Sequence, residues 1–400
     1  MKRITIGEIA DVKGGKRLPK GKDVQDEVTE HPYIRVVDLG EYGVNLQTIK
    51  YITKDVHEQI KKYTITSNDI YISIAGTIGR VGIVPQHLSN ANLTENAAKI
   101  VIKDKRVNHK YLMYFLKSPL GQGQIASKTG GTSQPKLALF RIKEIEFLLP
   151  DLTTQDKIVF FLSAYDELIE NNLRRITLLE KSVHLLFNEW FIKLRFPGYE
   201  HSQITDGVPN GWEKISATSI MEINPKTIVV KDNINKYVEM AALSENSMVI
   251  TEAGKREGNS GSKFQNHDTL FARITPCLEN GKTGYVNFLS ENETAIGSTE
   301  FIVLRAKGIP PEFVYCLART YSFRENAIKS MIGSSGRQRV HVSCFDDFLT
   351  LKPTDTILEM FSELANPIFN QIKTLTLINQ KLRKTRDLLL PKLMNGEVKV

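Results

Sequence analysis

An α+β chain is predicted here: two mixed α/β domains related by an internal repeat, separated by two long helices paired as an antiparallel coiled coil. Three observations predict it. The chain reads twice at an offset near 200 residues, each copy closes on a stretch that reads as nearly pure helix, and the two helical stretches carry the same heptad seam in the same register.

A chain of 400 residues is long for a single core, since domains typically hold about 100–200 residues, so at least two domains are expected. Composition is that of an ordinary globular protein, with 41% hydrophobic and 24% charged residues, which excludes collagen-like and disordered classes. No apolar run approaches the roughly 20 residues of a membrane span and the first residues lack a signal-peptide stretch, so a cytoplasmic location and no membrane partner are expected.

The repeat sets the element order. Tyr33–Leu39 answers Tyr237–Leu243 at an offset of 204, Asp69–Ser73 answers Asp268–Ala272 at 199, and Gly130–Pro150 answers Gly333–Pro353 at 203 without a gap. Short β-branched runs punctuated by glycine turns mark the α/β parts. The boundaries read as a first domain at 1–150, a first spacer helix region at 151–196, a second domain at 197–352 and a second spacer helix region at 353–400.

From Asp151 to Phe196 there is neither Gly nor Pro, and Pro197-Gly198 stops the pattern. Ile169, Ile176, Val183 and Trp190 recur every seven residues and interleave with Asn172, Leu179 and Leu186. The second helix repeats the seam with Ile372, Asn379, Arg386 and Leu393, interleaved with Leu375, Leu382 and Leu389. Two helices with one seam seal each other, and antiparallel pairing returns the chain without a long connection. Pro367 is expected to break the start of the second helix and Pro391 its end. Such a pair places two unlike domains about an approximate twofold axis, the layout of a dimeric DNA reader built from one chain.

Charge is unevenly spread. The net charge is +8; residues 1–150 hold 23 Lys and Arg against 15 Asp and Glu, whereas 195–352 hold 18 of each. The first domain collects Lys13, Lys16, Arg17, Lys20 and Lys22 in one loop-like stretch, and the neutral second domain can still gather Lys255, Arg256, Lys263, Arg273, Lys282, Arg337 and Arg339 on one face. Arginine and lysine hold phosphates, and a few Arg, Asn or Gln read base edges.

Signals for catalysis are mostly absent. Gly281-Lys282-Thr283 resembles the tail of a phosphate-binding loop, but Pro276 stands where its first glycine belongs. Lys226 after Asn224-Pro225 departs from the motif with which amino-methyltransferases engage an extruded adenine. Cys277, Cys316 and Cys344 form no CxxC pair, and His341 near Cys344 supplies two ligands where a site needs more, so no metal and no disulfide framework are expected. No cofactor and no catalytic residue are predicted. Two other readings stay open: a stand-alone nucleotide- or S-adenosylmethionine-dependent enzyme, and a coiled-coil scaffold that binds no DNA.

Four stretches carry a family resemblance: Ile74-Ala75-Gly76-Thr77-Ile78-Gly79, Gly131-Thr132-Ser133-Gln134-Pro135-Lys136-Leu137, Pro209-Asn210-Gly211-Trp212, and the closing Arg386-Asp387-Leu388-Leu389-Leu390-Pro391-Lys392-Leu393-Met394-Asn395-Gly396-Glu397-Val398. With two repeats each followed by a long helix, the whole chain resembles the specificity (S) subunits of type I restriction-modification enzymes. Thr154-Gln155 and Ile357-Leu358 depart from the family's Glu-Gln pair, and Arg337-Gln338-Arg339 replaces Gln134-Pro135-Lys136 in the second glycine loop. The resemblance implies two target-recognition domains in a non-catalytic subunit that reads a bipartite, asymmetric site in double-stranded DNA. It implies as partners two methyltransferase (M) subunits, which bind S-adenosylmethionine and methylate adenine, and restriction (R) subunits in the full complex. The DNA contacts expected are Lys16, Arg17, Arg80, Lys128 and Lys136 in the first domain and Arg273, Lys282, Arg337 and Arg339 in the second, with Arg273 and Arg337 as base readers.

Overall fold

The computed structural model describes residues 2–398 apart from 41–42, 47, 132–133, 230–233, 252 and 335. By contacts the chain divides into a first unit, 1–170 with 381–400, and a second unit, 171–380.

In the first unit eight strands form two small sheets. They are β1 (Ala10–Gly14), β2 (Pro32–Ile34), β3 (Lys50–Tyr51), β4 (Thr64–Ile65), β5 (Ile70–Ser73), β6 (Val81–Ile83), β7 (Ala91–Leu93) and β8 (Ala97–Ile102). One sheet has the order β1-β8-β5-β6 and the other β3-β2-β7-β4. β5 is buried at all four positions and so is covered on both faces, whereas β1 alternates between buried and more exposed positions. Helices α1 (His109–Lys117) and α2 (Pro119–Lys128) follow. Asn108 caps α1 by accepting from the Lys110 and Tyr111 amides, and Ser118 caps α2.

In the second unit the strands are β9 (Met221–Ile223), β10 (Ile234–Val238), β11 (Gly254–Glu257), β12 (Ser262–Gln265), β13 (Thr269–Ala272), β14 (Thr283–Tyr285), β15 (Thr294–Gly297) and β16 (Phe301–Ala306). Their orders are β9-β16-β13-β14 and β11-β10-β15-β12, the first unit's topology strand for strand. Registers repeat too. Tyr33 lies opposite Asn92 and Tyr237 opposite Ile296, both in parallel pairs, at the offset of 204 read from the sequence.

The spacer segments are α3 (Leu152–Phe187), whose last turn passes into a π turn at Asn188–Ile192, and a 40-residue helix, α6 (Asp355–Met394); α4 (Pro311–Ala318) and α5 (Tyr321–Lys329) precede α6. In the first unit Ile158, Val159 and Leu162 share a core with Leu390, Leu393 and Met394. In the second, Ile176, Val183 and Phe187 share one with Phe361, Phe369 and Ile372. The start of one helix meets the end of the other, so the pair is antiparallel. Ile169, Ile176, Val183, Trp190, Asn172, Ile372, Leu375, Asn379, Arg386 and Leu393 are buried, and Leu179, Leu186, Leu382 and Leu389 half-buried.

Polar members of the seam are matched within their units. Asn172 donates to Asn379 at 2.9 Å, and Arg386 reaches Asp166 at 2.6 Å. Gln155, expected only as a departure from a family pair, is fully buried. Its amide donates to the carbonyls of Arg106 and Pro150 and accepts from the Asn108 amide, stapling the start of α3 to the sheet domain. Leu358, its counterpart, fills the equivalent place with apolar bulk.

The expected breaks at Pro367 and Pro391 do not occur: α6 runs unbroken through both. Each proline frees the carbonyl four residues before it, at Glu363 and Asp387, and both of these residues are exposed, so water can take the lost hydrogen bond.

Candidate nucleic-acid interface

At one corner of each unit, the chain leaving the first strand, β1 or β9, crosses the turn that joins the two sheets. In the first unit the Gly15 and Lys16 amides donate to the carbonyls of Ala97 and Leu93. A Cβ at Gly15 would lie 2.1 Å from the Thr94 oxygen, so only glycine permits the approach. This puts Lys16 and Arg17 at the surface: Lys16 sits 5.7 Å from the centre of the Tyr63 ring. Arg17 pairs with Glu95 at 2.7 Å while remaining 81% exposed, which raises the arginine's pKa and holds the Glu95 carboxyl below its usual range despite its partial burial. That exposure leaves most of the guanidinium facing water, and the pair costs little to open.

The corresponding corner of the second unit begins with Asn224, whose amide donates to the Val303 carbonyl at 2.7 Å. Lys226, Lys263, Arg273 and Thr299 then line an open cleft of about 340 Å³. Gly261, at φ +127°, lies where a Cβ would meet the Gly297 oxygen at 2.1 Å.

The glycine loops singled out in the sequence are zipped to the neighbouring strand ends. Lys136 bridges both Ala75 and Gly130, and Arg339 bridges both Ile274 and Ile332. Lys136 and Arg337 are exposed, with no side-chain partner among the described residues. Arg339 makes a forked pair with Glu300, at 2.7 and 3.0 Å, which raises its pKa. Lys128 is half-buried and 3.7 Å from Glu144. Thr132, Ser133 and Ser335 of these loops lie outside the described residues.

Arg80 and Lys282 occupy equivalent places beside β6 and β14, and both are committed to backbone. Arg80 donates to the Leu39 and Val36 carbonyls at 2.6 and 3.4 Å, and Lys282 to the Met240 carbonyl at 3.2 Å. They clamp a helical turn in each unit, so their cations are less free for phosphate than those of Lys16, Lys136 or Arg337. The Lys282 segment enters β14 with no helix after it, which a phosphate loop requires. No group of three potential metal ligands occurs among the described residues. His341 instead hydrogen-bonds Ser343 at 2.6 Å.

Residues 1–181 match the family model described as the type I restriction modification DNA specificity domain. The type I restriction enzyme MjaIX specificity subunit of Methanocaldococcus jannaschii is 26% identical over 99% of this chain and 93% of its own length. The HindI specificity subunit of Haemophilus influenzae is 22% identical over 86% and 89% of the two chains. Over nearly its whole length the chain is thus similar to specificity subunits of type I restriction-modification systems, and its first 181 residues match their DNA specificity domain. A crystal structure of the S subunit from M. genitalium shares the fold, with a TM-score of 0.58 at 15% identity over 98% of this chain and 96% of that one. A specificity subunit is the non-catalytic DNA-recognition component of such a system, so the cation-bearing corners, and not a reaction centre, are where function is to be sought. Sequence reading found Lys16 and Arg17 as part of a basic run. It missed Lys226, a single lysine next to Asn224-Pro225, because only the packing of three loops brings it beside Lys263 and Arg273.

Proposed function

We propose that this chain is an S subunit that reads a bipartite, asymmetric site in double-stranded DNA, each unit reading one half. It also docks two M subunits and, through them, R subunits. The observation that carries this reading is that the two units share one eight-strand topology, register included, while the cations at the matching corners and loops differ. Shared topology gives two similar mounts for a partner present twice; unlike side chains at base-reading positions select unlike sequences. The paired helices act as the spacer between the half-sites, and the complex works in the cytoplasm. No helix among the described residues is long and apolar enough to cross a membrane.

Sequencing methylated adenines in DNA from cells that hold this chain and its M partner tests the reading. A motif of two unlike parts around an unread gap is expected, and a contiguous or palindromic motif would overturn it. The mass of the purified complex should correspond to two M subunits and one S subunit.

A further inference from the structure

Among the described residues, the cleft lined by Lys226, Lys263 and Arg273 has no Asp or Glu in its wall. Elsewhere in the second unit two partly buried cations are neutralised, Arg305 by Asp268 and Lys236 by Glu293. Among the described residues neither Lys226 nor Lys263 has a carboxylate partner. The Nε of Arg273 is buried without an acceptor, a donor that has lost its water and gained nothing in return. Glu300 could have served it, since its carbonyl accepts from the Arg273 amide at 3.0 Å, but its carboxylate is taken by both arms of Arg339. Three cations therefore converge on one cleft in a unit whose overall charge is zero, at the corner where the first unit presents Lys16 and Arg17.

We propose that this cleft is a phosphodiester subsite, in which Lys226, Lys263 and Arg273 hold one backbone phosphate of the DNA on the side of the second half-site. The inference rests on the DNA-reading function proposed above, and it moves Arg273 from a base reader to a phosphate ligand. One phosphate oxygen supplies the acceptor that Arg273 lacks, and the two ammonium groups need only proximity, as lysine binds phosphate as a point charge. A backbone grip of this kind fixes the register of the domain on the duplex without reading sequence.

The test uses the full chain in complex with its M partner, on a duplex carrying the methylated motif and on a shuffled duplex, with affinity followed against salt. Replacing all three residues with Gln should lower the slope of log K against log salt by about 0.9 and weaken binding roughly five-fold near 0.15 M salt, equally on both duplexes. Lys226→Gln alone, an exposed position that leaves the fold intact, should remove part of the same slope; Lys214→Gln, exposed and not among the residues that line the cleft, should change nothing. An unchanged slope would overturn the proposal, as would a loss confined to one base pair of the motif, which would return Arg273 to base reading. Thermal stabilisation of the unmodified complex by inorganic phosphate or a deoxynucleoside monophosphate, with no effect of the triple variant on DNA, would make the cleft a small-anion site and sink the proposal. If the unmodified complex itself failed to prefer its motif, the fault would lie with the DNA-reading function and not with the cleft.

Discussion

Asn172 and Asn379 face each other across the helix pair, buried to within 3% and 2% exposure and joined by a 2.9 Å hydrogen bond. A polar pair in an apolar seam costs stability and fixes register, because any slip buries two unmatched amides. Asn172→Leu alone should destabilise the second unit by about 1–3 kcal/mol, since Asn379 loses its buried hydrogen bond with Asn172. The double Leu variant should recover that loss or exceed the native stability. Denaturant titration of the three variants checks the order; a double variant weaker than the single one would remove the register role.

Arg386 is 8% exposed and reaches Asp166 and Asp387 at 2.6 and 2.8 Å, while the Tyr114 hydroxyl donates to the other oxygen of Asp166 at 2.8 Å. Asp166→Asn should cost about 1–3 kcal/mol, because a buried guanidinium then loses the charge of its 2.6 Å partner, and Tyr114→Phe about 1 kcal/mol. Thermal melts of the two single variants and the double should show coupling, the double costing less than the sum.

Burial holds the His184 imidazole down at about 4, with the Arg319 charge adding to the effect. The unfolded chain, titrating near 6.5, takes up the proton first as pH falls. The stability tied to neutral His184 is fully present above about 6.5 and drains away toward pH 4, by roughly 3 kcal/mol at about 1.4 kcal/mol per unit. Glu180, whose carboxyl burial pushes up, works in the opposite sense: the unfolded chain releases that proton first, so stability falls as pH rises above the ordinary glutamate value. Subtracting the profile of His184→Gln from that of the native chain isolates the histidine. Identical profiles would show that the ring takes up its proton equally in the folded and unfolded chain, and would remove the effect.

Arg337, exposed at a loop tip, should act on sequence: Arg337→Ala is expected to cost about 1–3 kcal/mol of discrimination at one base pair of the second half-site. Uniform weakening on all duplexes would reduce it to a phosphate contact. Arg80→Gln and Lys282→Gln should instead lower the melting temperature, by the loss of about 1–2 kcal/mol of charged hydrogen bonding, and leave the salt dependence of binding as it was.

One heptad inserted into each helix, after Asn172 in α3 and after Ile378 in α6, keeps Asn172 opposite Asn379 and leaves both halves of the seam with their own partners. About 10 Å of helix is added at 1.5 Å per residue, or roughly 3 bp of duplex. The preferred spacer should lengthen by about that amount with the half-sites unchanged. Selection from a library of randomised spacers measures it, and an unchanged preference with retained binding would show that the helices do not set the distance.

The sequence by itself determined the repeat, its offsets of 204, 199 and 203 residues, and the heptad positions of both spacer helices. All of these are periodicities: burial on one face imposes a spacing of two or of three and a half residues, and that spacing is written locally in the chain. Tertiary structure alone decided which cations are free. Arg80 and Lys282 looked equal to Arg337 in the sequence, but the first two are drawn onto carbonyls of turns about 40 residues earlier. Lys226 carried no signal until folding set it beside Lys263 and Arg273. Tertiary structure also carried α6 through two prolines that local propensity would have taken as ends. The physical reason is one of range: a hydrophobic stripe is a property of neighbours along the chain, whereas the partner of a charge, or the water that replaces a lost hydrogen bond, depends on segments that only the fold brings together.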